Sequence, residues 1–443
     1  MTKILISIIW FLVFTKLLIF WVWLWQLKEY HARRFKAHLE TQKIRKFLFS
    51  FSGIRFPKLT QKVTLILIIG IFIEFFFLLF IYNLTNYLFY IFLLASIILA
   101  PIAISILILL FQIPVNILIK RMLEKAKKKR EQFKDLIVIG IAGSYGKTAV
   151  KEFLATILFE KYNLLKTERN INAEIGIAKT ILNKLKKEHQ VFIAEIGAYE
   201  IGKIKQVCGI IKPKIGILTG INEQHLSTFG SLENIKKAKN EILECSETKI
   251  DHNSLDLFAT DIVVEKEFVS FKVDGKDFKV NLLGKHNINN ILLAASCAKK
   301  LGMSLEEISK ACLKIKPEQG GMKFLKRNGL MILDASYSAN PNGVIADLDY
   351  LQIYSGSKII VMPCLIELGK ESKRIHKEIS RKITEVCDFA IITTKDYFKE
   401  IKGENKNIFL IENPENIIVK IRELSNQETV ILLEGRVPRL IWD

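Results

Sequence analysis

The residues whose types and spacing most clearly suit a chemical role lie at 143–148, Gly-Ser-Tyr-Gly-Lys-Thr, between an apolar run and an amphipathic segment. Backbone N–H groups at the start of a helix favour an anion. The Lys147 amine can pair with the β- and γ-phosphates of a nucleotide, and the Thr148 hydroxyl can bind Mg²⁺. The general GxxxxGK[ST] pattern is not met, because Ile141 occupies its first glycine position. The segment indicates a nucleotide-phosphate loop, and a plain glycine turn before a helix is the alternative.

Two further candidates follow apolar runs that are typical of buried strands. Glu195 ends the run VFIAE, and His225 comes soon after the run IGILTGI. Strands ending beside a phosphate loop would bring both side chains to it. Carboxylate and imidazole are both acceptable Mg²⁺ ligands, although histidine is the less usual one. Without further context His225 is interpreted as an ordinary loop histidine.

Several other polar residues are candidates only because of the segments in which they lie. Lys239 lies in a lysine-rich helical segment, where a solvated helix face is the plain interpretation. Asn287 and Asn290 lie one helical turn apart and can share a face, but Asn287 could equally be a helix N-cap. A polar segment follows the apolar run LMIL, at a position where loops of α/β sheets bind ligands. Its candidates are Asp334, Ser336, Tyr337 and Asn340.

The elements that position these residues begin near residue 131. From there short apolar runs alternate with amphipathic stretches, a pattern that favours a parallel α/β sheet. A β-rich stretch with an Asp274-Gly275 turn precedes a helix near 287–301. We predict a central domain at 131–316 and a C-terminal doubly wound, Rossmann-like domain at 317–443.

Residues 1–130 have a different character. Three nearly uncharged stretches, at about 4–25, 63–82 and 87–113, each reach the roughly 20 residues that a helix needs to cross a bilayer. A cleavable signal peptide is the alternative for the first, but no small-residue cleavage pattern follows it. Pro101 and Pro114 predict that the third stretch is kinked or is followed by an interfacial segment. We therefore expect an all-α transmembrane region.

Charge orients this region. Of the net charge of +20, residues 1–134 contribute 20 Lys and Arg against 5 Asp and Glu. Most of the basic residues lie in the loop 27–62 and in the run 120–134, and such residues near span ends mark the cytoplasmic side. Their position beside spans favours anionic lipid over nucleic acid as the partner. The six cysteines show no CxxC pair, which suits a reducing compartment. We expect a multi-pass membrane protein with cytoplasmic catalytic domains.

Taken together, the motifs resemble the Mur ligase family, and in their order its D-alanyl-D-alanine-adding branch. The resemblance covers about 135–443. Its segments are GSYGKT, TERNINAEIG from 167, AEIGAYEIGKI from 194, TGINEQHLSTFGSLENIKKAKNEIL from 219, GKHNINNILLAA from 284, DASYSANP from 334 and IELG from 366.

The resemblance implies an ATP-dependent ligase that activates a carboxylate as an acyl phosphate and then forms an amide bond. It would add D-Ala-D-Ala or a similar amine to a muramyl-peptide precursor in peptidoglycan synthesis. Lys147, Lys239 and His225 would be catalytic. Thr148 would serve one Mg²⁺, Glu195 and His225 a second, and Lys239 would be carbamylated and face the metal. ATP would contact Gly143, Ser144, Tyr145, Gly146, Lys147, Thr148, Asn287, Asn290 and Asp334. The substrates would contact Asn170, Asn172, Ser336, Tyr337 and Asn340.

The sequence departs from the family pattern at several positions. Ala335 and Ser338 replace an acidic residue and an asparagine, and Gly321 replaces an arginine. Residues 363–365 stand in place of Gly-Asp-Met, and Glu434-Gly435-Arg436 in place of Lys-Gly-Ser. Loss of carboxylate and guanidinium groups changes the hydrogen bonds available to the amine and the nucleotide.

The front of the chain departs furthest, because spans stand where the family has a domain for the uridine nucleotide of the precursor. We therefore expect a precursor presented differently, such as a lipid-linked species. Two alternatives remain. One is a ligase of the poly-γ-glutamate or folylpolyglutamate type, and the other is a catalytically weakened membrane scaffold for cell-wall enzymes.

Overall fold

The computed structural model describes residues 2–30, 35, 55–168, 171–327, 329–337 and 339–438. It separates into two compact units, Met1–Arg121 and Met122–Asp443. Most of the predicted basic loop 27–62 lies outside the described residues, as do Asn170 and Ser338.

The first unit is helical. Helix α1 covers Thr2–Leu27, α2 covers Gln61–Tyr82, and α3 covers Asn86–Glu131 and so continues into the second unit. All three helices are long and apolar enough to cross a membrane. The sequence predicted a span ending near 113 with a kink or an interfacial segment, whereas α3 is assigned as one helix through Pro101 and Pro114. The side chains after Ile119 are largely charged.

Aromatic and small residues hold these helices together. A Cβ on Gly70 of α2 would lie 2.6 Å from Leu18 Cδ2 of α1, so a larger residue at this position would require the Leu18 side chain to move. The indole N–H groups of α1 donate across the bundle: Trp10 Nε1 to Ser96 Oγ at 3.0 Å and Trp25 Nε1 to Ser105 Oγ at 2.9 Å. Such bonds satisfy indole N–H groups that are otherwise surrounded by apolar side chains.

The second unit begins with a five-stranded parallel sheet in the order β2-β3-β1-β4-β5. Its strands are β1 (Ile137–Ala142), β2 (Leu164–Lys166), β3 (Val191–Glu195), β4 (Ile215–Leu218) and β5 (Thr248–Ile250). The strands β1, β3 and β4 are adjacent and parallel, and nearly every residue in them is buried, as expected for a sheet covered on both faces. Their carboxyl ends therefore meet at one edge.

Helices cover this sheet, and a small antiparallel sheet follows it. The helices are α4 (Lys147–Leu158), α5 (Glu174–Lys184), α6 (Lys203–Ile211), α7 (Leu226–Phe229), α8 (Leu232–Glu244), α9 (Asn287–Lys300) and α10 (Leu305–Cys312). The small sheet contains β6 (Thr260–Val264), β7 (Val269–Val273) and β8 (Lys276–Val280). Asp274 and Gly275, with φ of 47° and 76°, form the predicted turn between β7 and β8.

The C-terminal part forms a six-stranded sheet in the order β13-β12-β11-β14-β10-β9, in which only the edge strand β9 is antiparallel. Its strands are β9 (Lys323–Arg327), β10 (Leu330–Ala335), β11 (Lys358–Met362), β12 (Phe389–Ile392), β13 (Ile408–Leu410) and β14 (Val430–Glu434). Its helices are α11 (Pro341–Leu351), α12 (Ser372–Val386), α13 (Phe398–Lys402) and α14 (Pro414–Leu424). Hydrophobic clusters lie on both faces of this sheet. The predicted fold class, two α/β domains after an all-α region, is confirmed.

Candidate active site

The phosphate loop joins β1 to α4 through two glycines that no other residue could replace without strain. Gly143 has a φ of 152° and Gly146 a φ of 78°, both in the region that favours glycine. A Cβ at Gly143 would overlap Thr219 Oγ1, and one at Gly146 would lie 2.7 Å from Asn290 Oδ1. The two glycines therefore leave open a backbone cradle at the N-terminus of α4, which fits a phosphate group.

The segment after β4 fixes the shape of this loop. The Ser144 N–H donates to Gly220 O at 2.7 Å, and the Thr219 hydroxyl donates to Tyr145 O at 2.5 Å. The Tyr145 ring covers Gly220 so closely that a side chain at 220 would overlap it. Tyr145, predicted only as part of the nucleotide loop, therefore also joins the loop to the neighbouring strand end.

Lys147 lies over the loop that it was predicted to complete. Its amine donates to Gly143 O at 2.9 Å and to Ser144 O at 3.0 Å. Burial lowers the pKa of this amine, and the nearby Glu195 carboxylate opposes that shift. A phosphate placed on the loop would meet a cation already held beside the backbone donors.

Glu195, the last residue of β3, is 1% exposed and lies at the centre of a polar network. One carboxylate oxygen accepts from the Thr148 hydroxyl at 3.0 Å and from Lys151 Nζ at 3.2 Å, and the other accepts from Asn172 Nδ2 at 3.2 Å. The structure thus brings together the predicted metal ligands Thr148 and Glu195 with the predicted substrate residue Asn172.

Lys151 is a residue that the sequence reasoning missed. Its side chain is fully buried. In addition to its contact with Glu195, the Lys151 Nζ lies 3.5 Å from Glu168 O. A signal existed, because Lys151 follows Lys147 by one helical turn and shares its face of α4. Its long apolar stem also lets a lysine occupy a buried helix position.

Lys239 is buried, whereas the neighbouring Lys236 and Lys237 are exposed. The solvated-face interpretation therefore applies to those two lysines and not to Lys239, whose amine donates to Ala198 O at 3.0 Å. Burial lowers the pKa of Lys239 to about 7, with a further contribution from Lys147. A neutral amine is the form that reacts with CO₂, so this environment fits the expected carbamylation.

His225 reaches the same region from the turn after β4. Its Nδ1 lies 2.5 Å from Glu367 Oε2, and the Tyr199 ring contacts its face edge-on at a centroid distance of 4.8 Å. Burial lowers the pKa of His225, as do Lys239 and Lys147, while Glu367 opposes the shift. Since Lys147 and Lys239 both affect this imidazole, the three predicted catalytic residues share one electrostatic site.

Asn287 and Asn290 begin α9 beside the loop. The N-cap interpretation of Asn287 is wrong, because His286 is the N-cap residue and the Asn287 amide donates back to Leu283 O at 2.9 Å. Asn287 Oδ1 is buried and has no hydrogen-bond partner within the described residues. An amide oxygen of this kind can accept from an amino group, so its chemistry fits the expected adenine contact.

The C-terminal candidates lie at the end of β10, which contains Asp334, and on the loop that follows it. Asp334 Oδ1 accepts from Ser336 N at 2.9 Å and from Ser336 Oγ at 2.6 Å, and Tyr337 is 37% exposed. Asn340 caps α11, accepting from Gly343 N at 3.1 Å, and also accepts from Asn222 Nδ2 at 2.9 Å. This second bond brings the loop against the segment that carries His225.

Two of the departures from the family pattern, Ala335 and Glu434, lie side by side at the end of the C-terminal sheet. Ala335 pairs with Glu434 across the parallel strands β10 and β14. Glu434 and Asp347 are buried against each other, and burial raises both pKa values, that of Asp347 to about 7 and that of Glu434 well above its usual range. Burial is the largest cause for both carboxyls, and the nearby Asp347 and Asp334 carboxyls raise the pKa of Glu434 further, so this environment favours the protonated form.

A Mg²⁺ site beside the phosphate loop would require an unusual set of ligands. Within the described residues no group of three or more His, Cys, Asp or Glu side chains could hold a metal ion. The Thr148 hydroxyl and the Glu195 carboxylate, 3.0 Å apart, are oxygen donors of the kind that Mg²⁺ prefers. A carbamylated Lys239 would add a further oxygen anion, so the residues present fit the implied Mg²⁺.

Comparison with known proteins identifies the class. Residues 141–250 match the Mur ligase middle domain, and residues 322–437 match the Mur ligase, glutamate ligase domain. The chain therefore belongs to the Mur ligase family, and this recognition from the sequence is confirmed.

Within the family, its relatives include UDP-N-acetylmuramoyl-tripeptide–D-alanyl-D-alanine ligases, known as MurF. The protein of Buchnera aphidicola subsp. Baizongia pistaciae is 28% identical over 67% of this chain and 71% of its own length. That of Escherichia coli is 29% identical over 55% of this chain and 61% of its own length, so the match spans less than two thirds of that relative.

Solved structures agree with this assignment. MurF from Acinetobacter baumannii has 26% identity and a TM-score of 0.65, covering 71% of this chain and 77% of its own. MurF from Thermotoga maritima, solved in complex with ADP, has a TM-score of 0.66 over 73% of this chain and 81% of its own; at 23% identity it supports the fold.

Proposed function

We propose that this protein is an ATP- and Mg²⁺-dependent ligase that joins an amine to the carboxylate of a muramyl-peptide precursor. The observation that carries the proposal is the meeting of Lys147, Thr148, Glu195, His225 and Lys239 at the carboxyl edge of β1, β3 and β4 and on the adjacent α8. A phosphate cradle, a buried carboxylate and a buried amine converge there. Such a set suits phosphoryl transfer, in which catalysis is mostly positioning and charge stabilisation.

Each residue has a task in this reaction. The loop N–H groups and Lys147 would hold the nucleotide phosphates while the precursor carboxylate attacks the γ-phosphate. Thr148 would hold one Mg²⁺, and Glu195 and His225 would hold a second, which carbamylated Lys239 would face; the cations would neutralise negative charge on the phosphates. The incoming amine would then displace phosphate from the acyl phosphate. Asn287 and Asn290 are proposed to contact the adenine, and Asp334 to lie near the nucleotide.

The substrate contacts are proposed from position. Asn172 donates a hydrogen bond to Glu195. The loop after β10 contains Ser336, Tyr337 and Asn340, and Asn340 contacts Asn222. Asn170 is proposed by resemblance alone. D-Ala-D-Ala is the amine that the D-alanyl-D-alanine ligases among the relatives use by name. Because Ala335 and Glu434 change the polar groups near this loop, we propose D-Ala-D-Ala or an amine similar to it.

We further propose that the three apolar helices cross the membrane and that the basic loop 27–62 and the two α/β domains, which we place at 131–316 and 317–443, are cytoplasmic. The supporting features are the lengths of the helices and the basic residues next to them. A membrane-bound enzyme can meet a lipid-linked precursor directly. We therefore propose a precursor presented at the bilayer, with anionic lipid headgroups contacting the basic segments and other cell-wall enzymes as neighbours.

The test uses the full chain in lipid nanodiscs with ATP, Mg²⁺ and muramyl-tripeptide precursors, either nucleotide-linked or lipid-linked. We expect amine-dependent release of phosphate and a product heavier by the mass of the amine less one water. Faster turnover of the lipid-linked precursor would support presentation at the bilayer. ATP turnover with glutamate rather than D-Ala-D-Ala would support a glutamate-adding ligase. Nucleotide binding without any ligation would support the scaffold alternative.

A further inference from the structure

A contact between the two α/β domains of the second unit lies within the candidate site. His225 belongs to the central domain and Glu367 to the C-terminal sheet domain, and Glu367 Oε2 lies 2.5 Å from His225 Nδ1. The His225 side chain is 23% exposed and that of Glu367 is 10% exposed. The bond is therefore largely shielded from water, where a charge-assisted hydrogen bond is strong.

Both residues adopt a backbone conformation that is unfavourable for residues other than glycine. His225 has a φ of 67° and Glu367 a φ of 66°, both in the left-handed region that residues other than glycine rarely adopt. The Ser227 N–H donates to Glu367 O at 3.1 Å, so the two turns are also joined through the backbone. Strained turns of this kind persist where the surrounding structure holds them, and they are frequent at functional sites.

A buried histidine anchors the turn that carries Glu367. His376, which is fully buried, accepts from the Leu365 N–H through Nε2 at 3.0 Å. Its Nδ1 lies 2.6 Å from Ser372 O, and the Tyr397 ring stacks on it at 4.6 Å. Glu367 is therefore presented from a fixed turn of the C-terminal domain rather than from a loose loop.

The chemistry of imidazole gives this contact a consequence. A carboxylate at Nδ1 accepts the proton of that nitrogen, which fixes the neutral tautomer whose free electron pair is on Nε2. Histidines that bind metals commonly donate their second N–H to a carboxylate in this way, and the partner sets the orientation of the ring. Tyr199 against the ring restricts its rotation further.

We propose that Glu367 is a positioning residue that prepares His225 to bind a divalent cation through Nε2. Because Glu367 comes from the other domain, docking of the C-terminal domain completes the cation site. Cation affinity and domain docking are thereby linked, and each favours the other. This inference rests on the proposed function for the identity of His225 as a ligand, but its test requires no ligation.

The test measures Mn²⁺ binding by electron paramagnetic resonance, with the full chain in nanodiscs and a non-hydrolysable ATP analogue. We expect Glu367→Ala to weaken Mn²⁺ binding by about 10- to 100-fold. Glu367→Gln should have a smaller effect, because its amide oxygen still accepts the Nδ1 proton. In a His225→Ala background, Glu367→Ala should have no further effect, since the residue acts through the imidazole.

Arg374 supplies the matched control. Its guanidinium pairs across the same domain contact with Glu223 at 2.7 Å without touching His225. Arg374→Gln should leave Mn²⁺ affinity within about twofold, as expected for an exposed pair. Equal weakening by Arg374→Gln and Glu367→Ala would overturn the proposal, because Glu367 would then act only as a domain contact. So would a parent that binds no Mn²⁺. A parent that binds Mn²⁺ as described but ligates nothing would refute the proposed function and leave this inference standing.

Discussion

Lys151 and Glu195 form a buried ion pair beneath the phosphate loop, with Nζ and Oε2 3.2 Å apart and side-chain exposures of 0% and 2%. The pair connects α4 to the end of β3, and Glu195 in turn contacts Thr148 and Asn172. The Lys151 amine held there fixes the orientation of the Glu195 carboxylate. The phosphate loop and the candidate cation site therefore share one buried electrostatic network.

Replacing Lys151 by methionine should destabilise the second unit strongly. Methionine fills much of the same space but leaves Glu195 as a buried carboxylate without its cation, and breaking a buried pair costs about 3–5 kcal/mol. Denaturant unfolding followed by fluorescence measures the loss. Lys151→Met combined with Glu195→Gln should recover most of it, because no unpaired charge remains. Lys237→Met, at an exposed position on α8, should change stability by less than about 0.5 kcal/mol.

Replacing Gly146 by alanine should reduce both stability and nucleotide affinity. The new Cβ would lie 2.7 Å from Asn290 Oδ1, and a φ of 78° disfavours alanine by about 1–2 kcal/mol. Gly275, with a φ of 76° and open space around it, is the matched control. Gly275→Ala should show the conformational loss alone, with unchanged binding of an ATP analogue by calorimetry. Equal binding by the two variants would contradict the cradle.

Carbamylation of Lys239 predicts a requirement for CO₂. Lys239→Met should lower ligase turnover by about 100-fold or more, because a metal-facing anion is lost. Added formate or acetate should restore part of the activity by supplying a carboxylate to the vacated space. Depleting bicarbonate should slow the parent protein but not the rescued variant. Lys236→Met, which alters an exposed lysine of the same helix, should behave as the parent. Insensitivity of the parent to bicarbonate would argue against the carbamate.

The sequence predicted most of the fold because its signals were local. Apolar runs of strand length alternating with amphipathic segments predicted parallel sheets, and the segment 143–148 predicted a phosphate loop at a strand–helix junction. The Asp274-Gly275 turn was predicted from its Asp-Gly dipeptide. The continuation of α3 beyond residue 113 was missed, because prolines at 101 and 114 normally argue for a break.

The parts of the site that escaped prediction depend on long-range packing. Lys151 belongs to the site because α4 packs beside β3, and no spacing in the sequence relates residue 151 to residue 195. Glu367 lies in the IELG segment, but no local pattern indicates its role, since its contact with His225 spans 142 positions. Lys239 could be separated from Lys236 and Lys237 by resemblance, and its burial gives the physical reason.

The carboxyl pair Asp347 and Glu434 predicts that stability falls as the pH rises. Burial raises the pKa of Asp347 to about 7 and that of Glu434 further, so the folded protein holds protons that the unfolded chain releases near pH 4. The stabilisation is fully present below pH 4 and is lost as the pH passes about 7. Between pH 5.5 and 8.5 the Asp347 proton alone spans about 1.5 pH units at about 1.36 kcal/mol each, so we expect a loss of at least about 2 kcal/mol, a fall in Tm of roughly 4–8 °C.

Asp347→Asn tests the origin of this pH dependence, because an amide can hydrogen-bond to Glu434 without titrating. Its Tm should fall less over the same pH range than that of the parent, measured by differential scanning fluorimetry in nanodiscs. Asp349 lies on the same helix, and its exposed carboxylate pairs with Lys382. The dependence of Tm on pH in Asp349→Asn should therefore match that of the parent. If Asp347→Asn keeps the full pH dependence, the proton is bound elsewhere than at the carboxyl pair.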